Sequence, residues 1–217
     1  MAMNHIESVQ KVGGLQASTA TIYVHRYDAP NDELTGRIAP EGPDTWRFSL
    51  DVAKAWEQAL DEAETPRTRK VAMRCAIVMS PQKGGAFDVL STLVRRGLGG
   101  TQGNGRQFVS WIHEADFIAA VEFLLRNDLK GPVNLASPNP LPNRDFMRAL
   151  RKAWGVPFGL PTPAPLLEIG AWAMRTETEL VLKSRRVVPR RLEEAGFRFT
   201  YPAWPEAARD LSARSST

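Results

Sequence analysis

Buried-strand and amphipathic-helix patterns take turns along most of this 217-residue chain, and that alternation limits its fold more than any other feature. Leu15 to Val24 (LQASTATIYV) is rich in small and β-branched residues and predicts a buried strand. A polar stretch with Pro30, Asn31, Asp32, Gly36, Pro40, Gly42 and Pro43 must be loop. Helix resumes near Phe48, with Val52, Trp56 and Leu60 on one face, and Pro66 closes that region. Val71 to Met79 predicts a second buried strand, and Phe87, Leu90, Val94 and Leu98 trace a helix that stops at Gly99-Gly100. Gln107 to Ile112 alternates, with Phe108, Ser110 and Ile112 toward one face. A helix from Ala115 to Arg126 follows, with Phe117, Val121 and Leu124 facing inward. Val133 to Ala136 is a short strand, and Asn143 is a good N-cap for a helix carrying Phe146, Leu150 and Trp154. This rhythm predicts an α/β protein with a largely parallel, Rossmann-like sheet and right-handed crossovers.

Beyond Gly155 the character changes. Pro157, Pro161, Pro163 and Pro165 form a stiff connector, and Leu166 to Leu182 reads as a helix. Pro189 suits the first turn of a short helix closed by Gly196, Phe197 and Phe199 alternate as a brief strand, and Pro205 starts a last helix. The expected division is an unrelated or disordered 1–14, an α/β part over 15–155 and a small α-rich lobe over 156–217. No stretch of about 18 uncharged apolar residues occurs, so no membrane span is expected. The start lacks the layout of a signal peptide, and a cytoplasmic address is the expectation. Cys75 stands alone in an apolar run and reads as a buried, inert thiol. Histidines at 5, 25 and 113 give no metal-ligand spacing, so no metal site is expected.

The net charge is +4, and it is unevenly spread: Lys183, Arg185, Arg186, Arg190 and Arg191 lie within nine residues with no acid among them. A solvated helix surface, a site for an anion such as phosphate, and nucleic acid all stay open for that run. No aromatic is interleaved with these charges, which argues against nucleic acid.

Two segments carry a family likeness: Gly105-Arg106-Gln107-Phe108-Val109-Ser110-Trp111-Ile112-His113-Glu114-Ala115-Asp116-Phe117, and Lys183 to Leu192 with Glu194 to Phe199. On these the chain resembles the nucleoside-diphosphate-sugar epimerase-like branch (NAD-dependent epimerase/dehydratase-like) of the extended short-chain dehydrogenase/reductases, with its C-terminal domain of unknown function. The resemblance runs from about Leu15 to Leu211. It implies a parent activity of NAD(P)-dependent redox or epimerisation on a small, nucleotide-sugar-like substrate.

The family places a hydroxyl residue at a strand end in a Ser/Thr-x-x-x-Tyr setting. Here Ser18-Thr19-Ala20-Thr21-Ile22-Tyr23 fits, with Thr19 in the catalytic slot and Ser18 beside it. Capping of a strand end is the plain alternative. The family's Tyr-x-x-x-Lys pair is missing from the next helix, which reads Trp46 to Glu57: Ser49 and Ala53 fall in the two positions and Lys54 is one residue off, about 100° round the helix. Tyr23 or Tyr27 could replace that tyrosine only by another geometry. The turn Ser80-Pro81-Gln82-Lys83-Gly84-Gly85 falls where the family approaches the nicotinamide and substrate, giving Ser80 and Pro81 to the cofactor and Gly84 and Gly85 to the substrate; a plain surface turn is the alternative. Gln107, Trp111 and His113 are the expected pocket wall, with Arg185 from the basic run. A satisfied or helix-capping histidine is the other reading of His113.

The cofactor loop of the family is a strand, a Gly-x-x-Gly-x-x-Gly turn and a helix whose N-terminus takes the pyrophosphate. Nothing before Leu15 supplies it. The Gly97 to Gly105 stretch follows a helix and leads into a strand, the reverse of the required order. The chain therefore reads as the second half of such a protein, truncated, with weak or absent NAD or NADP binding and no expected turnover. A non-catalytic binding module using the same residues and the basic 183–191 segment is the alternative. An exposed sheet edge would favour a homo-oligomer.

Overall fold

The computed structural model describes residues 13–40, 44–161 and 183–215. Three strands form one parallel sheet in the order β1 (Gly13–Thr19), β2 (Arg69–Cys75), β6 (Gly131–Leu135). Gly13 lies opposite Arg69, Thr19 opposite Cys75, and Cys75 opposite Leu135, so the C-terminal ends are level. β3 (Ile77–Met79) runs parallel to β5 (Trp111–His113), and β4 (Phe108–Val109) pairs antiparallel with β7 (Leu141–Pro142). The helices are α1 (Asp44–Glu62), α2 (Ala86–Arg95), α3 (Glu114–Arg126), α4 (Asn143–Ala153), α5 (Arg190–Glu194) and α6 (Trp204–Ser215). The α/β architecture with a parallel sheet is as expected.

Three buried clusters hold these layers together. One gathers Met79, Phe87, Trp111, Phe146, Trp204 and Leu211; a second gathers Val71, Ile112, Leu124, Val133, Leu135 and Leu192; a third gathers Ile22, Tyr23, Leu50, Ala53 and Val187. Residues after 183 enter all three, so this part of the chain is packed into the sheet. Trp204 stacks on Phe146 at 4.0 Å and donates its indole N–H to the Phe146 carbonyl at 2.9 Å, which satisfies the polar end of a buried aromatic. Arg69 donates to the carbonyls of Leu124 and Leu129, closing the C-terminal end of α3 with a cation.

Several elements are shorter than the sequence pattern predicts, and in the three strands a polar bond marks the break. The 15–24 strand ends at Thr19, whose hydroxyl accepts the Thr21 N–H and turns Ala20–Ile22 into a 3₁₀ turn. The 71–79 strand divides at Ala76, whose N–H goes to Leu135. Ser110 interrupts 107–112, and its hydroxyl accepts the Val187 N–H at 2.9 Å. α2 stops at Arg95, with Gly97 at φ 77° just beyond it. Asn143 opens α4, but its side chain binds Gln102 across the loop rather than capping its own helix. Phe197 and Phe199 form no strand; their rings pack edge-on at 4.8 Å. The Leu166 to Leu182 helix lies outside the described residues.

The face of α1 is also corrected. Leu50 and Ala53 are buried with Glu57 on the same side, while Trp56 is 46% exposed. This helix is apolar on two faces, and the polar partners awaiting Glu57 decide which one turns inward.

Candidate functional site

The level C-terminal ends of β1 and β2 carry a connected polar network. Glu57 of α1 grips Arg74 of β2 through two bonds, at 2.7 and 2.8 Å. Ser18 donates its hydroxyl to Glu57 at 2.7 Å. Arg74 also donates to the Tyr23 hydroxyl at 2.9 Å, which in turn donates to Asn134 at 2.9 Å. Asn134 donates its backbone N–H to Glu33 and its amide to the Val188 carbonyl. Burial works against the Arg74 charge, yet the Glu57 carboxylate outweighs it and holds the guanidinium protonated above its ordinary range. Burial likewise raises the Tyr23 phenol, with the Arg74 charge pulling the other way, and raises the Glu33 carboxyl.

The two hydroxyls at the end of β1 therefore differ. The Ser18 proton is committed to a carboxylate. Thr19 is half-buried and donates only to the neighbouring Thr21 hydroxyl at 3.0 Å, a neutral bond worth about 1 kcal/mol that a ligand oxygen can replace. Tyr23 is fully enclosed with both its donor and acceptor capacity in use.

A third strand of chain reaches this place. Lys183 donates to the Thr21 carbonyl at 2.9 Å, and the Ser184 N–H goes to Nδ1 of His25 at 2.7 Å. Arg185 donates its backbone N–H to the Phe108 carbonyl, Ser110 donates its hydroxyl to the Arg185 carbonyl, and Arg186 lies 4.7 Å over the Phe108 ring. Lys183 and Arg185 are only 4% and 5% exposed. Desolvation lowers the His25 pKa, and the Lys183 and Arg185 charges lower it further. The basic run is thus neither a helix nor a solvated surface over 183–186. Further on, Arg190 pairs with Glu194 and Asp32, and Arg191 donates to the Pro132 carbonyl.

The other expected residues lie elsewhere. Ser80, Pro81, Gly84 and Gly85 form the turn from β3 into α2; Ser80 accepts the Gln82 N–H, and Gly84, at φ 80°, donates its N–H to Asp88. Gln107 is buried and donates to the Gln102 carbonyl. Trp111 is enclosed in the first core. His113 is enclosed as well: Nδ1 accepts the Ala115 N–H and caps α3, Nε2 meets Asp210 at 3.0 Å, and Tyr201 stacks on the ring at 4.0 Å. Neither Trp111 nor His113 forms an open wall beside Thr19; both sit beneath the surface. Cys75 lies at the end of β2 with its thiol pushed up to about 11 by burial. Among the described residues no group of three His, Cys, Asp or Glu could hold a metal, and no helix is long and apolar enough to cross a membrane. Sequence reasoning passed over Arg74 and Asn134 and named Lys183 only within the basic run; the charge in the middle of Val71 to Val78 was the available signal for the first.

Residues 162–211 match the family described as a domain of unknown function, DUF1731. Over 163 residues the chain is 36% identical to an "Epimerase family protein" of Mycobacterium bovis, covering 74% of this chain and 52% of that one. The human epimerase family protein SDR39U1 (isoform 2), solved with NADPH, is similar with a TM-score of 0.76 at 25% identity, over 92% of this chain and 64% of that one. The nucleoside-diphosphate sugar epimerase of Corynebacterium glutamicum is similar with a TM-score of 0.67 at 24% identity, over 98% of this chain and 44% of that one. The chain is an epimerase-like protein of the extended short-chain dehydrogenase/reductase type. It spans about half the length of the curated relatives it matches.

The described part of this epimerase-like chain does not fit a whole dinucleotide. The strand-to-glycine-turn-to-helix passage from β3 into α2 has the right order for holding a phosphate. Its first helical turn carries Asp88, however, whose carboxylate already takes the Gly84 N–H where an anion would bind. The Gly97 to Gly105 stretch is closed by packing: a Cβ on Gly100 would lie 2.4 Å from Leu160, and one on Gly99 2.4 Å from Val94. Those glycines allow close approach of chain segments and leave no cradle.

Proposed function

We propose that this chain forms the substrate side of an NAD(P)-dependent epimerase-like protein whose substrate is a small anion of the nucleotide-sugar kind. One observation carries the reading: two buried cations, Lys183 and Arg185, converge with His25 beside the hydroxyls of Thr19 and Thr21 at the end of β1. Positive charge gathered beside hydroxyl and imidazole groups suits recognition of an anionic group. Thr19 then hydrogen-bonds a substrate oxygen, and the Gly84-Gly85 turn borders the ligand. Gln107, Trp111 and His113 support the site from beneath. Ser80 and Pro81 border the nicotinamide side, and hydride exchange is the chemistry NAD(P) would supply there. The setting of this chain is the cytoplasm.

Turnover by this chain alone is not part of the proposal. Ala53, in the lysine position of the family pair, is enclosed, and Tyr23 is saturated by Arg74 and Asn134. These two observations favour a binding role for the isolated chain, with weak affinity for the dinucleotide.

Titration with UDP-glucose, followed by the imidazole resonances of His25, tests this. A bound anion should raise the His25 pKa, and Arg185→Met should weaken binding by about 10- to 100-fold, the range for one lost charge-assisted bond. UDP-glucose binding that leaves His25 unmoved, or that survives Arg185→Met intact, refutes the site. Submicromolar NADPH binding by the chain alone refutes the cofactor part.

A further inference from the structure

Two stretches of this chain hold several cations and no acid. Val89 to His113 contains Arg95, Arg96 and Arg106, and Phe146 to Pro161 contains Arg148, Arg151 and Lys152. The fold brings the two together. Gly100 donates its N–H to the Leu160 carbonyl at 3.1 Å, Leu160 donates its own to Gly97 at 2.8 Å, and Arg151 donates to the Gly99 carbonyl at 2.6 Å. Glycine permits this approach, because a Cβ on Gly159 would lie 2.6 Å from the backbone of Gly99 and Gly100. Arg95, at the end of α2, lies 5.0 Å over the ring of Trp154, just past α4.

The joined segments present apolar and cationic groups side by side. Phe158 is 71% exposed, Leu160 59% and Leu98 42%. Large apolar side chains scattered singly on a surface need no explanation, but these three stand on two loop segments bonded to each other. Beside them lies a cleft of about 330 Å³ lined by Arg148, Arg151, Lys152, Gly155, Val156 and Pro157, with no acid among the described residues of its wall. Arg148 is paired with Asp145 at 2.9 Å. Lys152, Arg95 and Arg96 are exposed, and Nε of Arg151 is buried with no hydrogen-bond partner among the described residues.

We propose that this surface docks on a membrane that contains anionic phospholipid. Leu98, Phe158 and Leu160 enter the boundary between head groups and acyl chains, Arg95, Arg96 and Lys152 meet lipid phosphates, and the cleft seats one head group. Charge and apolar exposure together select this occupant. Leu98 and Leu160 offer no face on which a nucleic-acid base stacks. A free phosphate would use the cleft and leave the three apolar side chains in water. The contact is peripheral, since no described helix is long and apolar enough to cross a membrane. It is independent of the substrate reading, because none of these residues takes part in that site.

Flotation of the full chain with vesicles tests it, comparing phosphatidylcholine alone with a mixture rich in phosphatidylglycerol. The expected result is binding to the mixture only, weakened by added salt. Lys152→Gln should weaken it about fivefold and Phe158→Ser at least about tenfold. Both side chains are exposed, so neither change should move the thermal melt or the UDP-glucose titration. A chain that floats with neither vesicle overturns the proposal; oligonucleotide binding weakened by Phe158→Ser would then assign the surface to nucleic acid. Equal binding to both vesicles overturns it, as does binding that survives Phe158→Ser intact. Vesicle binding abolished by inorganic phosphate at constant ionic strength overturns it in favour of a free-phosphate site.

Discussion

Tyr23→Phe separates a structural tyrosine from a catalytic one. The change removes a single oxygen from a side chain that is fully enclosed. That oxygen accepts from Arg74 at 2.9 Å and donates to Asn134 at 2.9 Å, and both partners are buried. A lost bond to a neutral buried group costs about 1 kcal/mol and one to a charged group about 1.5–3 kcal/mol, so the variant should lose about 2.5–4 kcal/mol. For a chain of this size that lowers the melting temperature by roughly 5–15 °C. Binding of UDP-glucose below the melt should be unchanged, because Tyr23 faces the core rather than the end of β1. The phenol also has a pH signature. Burial raises its pKa, so the folded state holds the proton more tightly than the unfolded chain. The stability this gives is complete below the ordinary value near 10 and is lost as pH rises through the folded value. Urea melts from pH 7 to 11 should therefore show an alkaline decline that Tyr23→Phe flattens. A loss under about 1 kcal/mol with binding abolished would refute this account and return Tyr23 to the chemistry.

Two further outcomes follow from the same groups. His25 accepts the Ser184 N–H only when neutral, and its pKa is lowered by desolvation and by Lys183 and Arg185; the stability it lends is present above its ordinary value near 6.5 and is lost as pH falls through the folded value. Amide exchange at Ser184 should therefore quicken on acidification below that range, and a rate flat from pH 7 to 5 after correction for intrinsic exchange would count against the clasp. Cys75, with its thiol pushed up to about 11, should resist iodoacetamide in the native state at pH 8 and label only on unfolding or near that pH, which intact-mass spectrometry reads directly.

The strands and helices were legible because burial on both faces of a parallel sheet leaves long apolar runs, and Val71 to Met79 is such a run. What the runs conceal is where a strand changes partners. Ala76 and Ser110 interrupt their strands through bonds to residues 59 and 77 positions away, and no local pattern encodes a contact at that distance. The face of α1 failed for a related reason. Val52, Trp56 and Leu60 make a sound apolar stripe, but Glu57 needs Ser18 and Arg74, and leaving a carboxylate unpaired in that place costs more than exposing part of one tryptophan.

The same distance argument governs the candidate site. Thr19, Ser18 and Arg185 were named from motif positions, and the structure brings Ser18 and Thr19 to the level strand ends where an open α/β sheet presents ligand groups. Lys183 was visible only as one charge among five. Its importance comes from a carbonyl 162 residues earlier, which holds the ammonium inside and so makes a surface charge into a buried one. Trp111 and His113 show the converse. Their residue types suit a pocket, yet the N–H of Ala115 and the indole of Trp204 claim them for capping and packing. The charges of Lys183 and Arg185 gather beside His25 near the end of β1, whereas the charge of Arg74 is matched by Glu57. That contrast, more than any motif, supports the proposal of an anionic ligand beside Lys183 and Arg185 rather than beside Arg74.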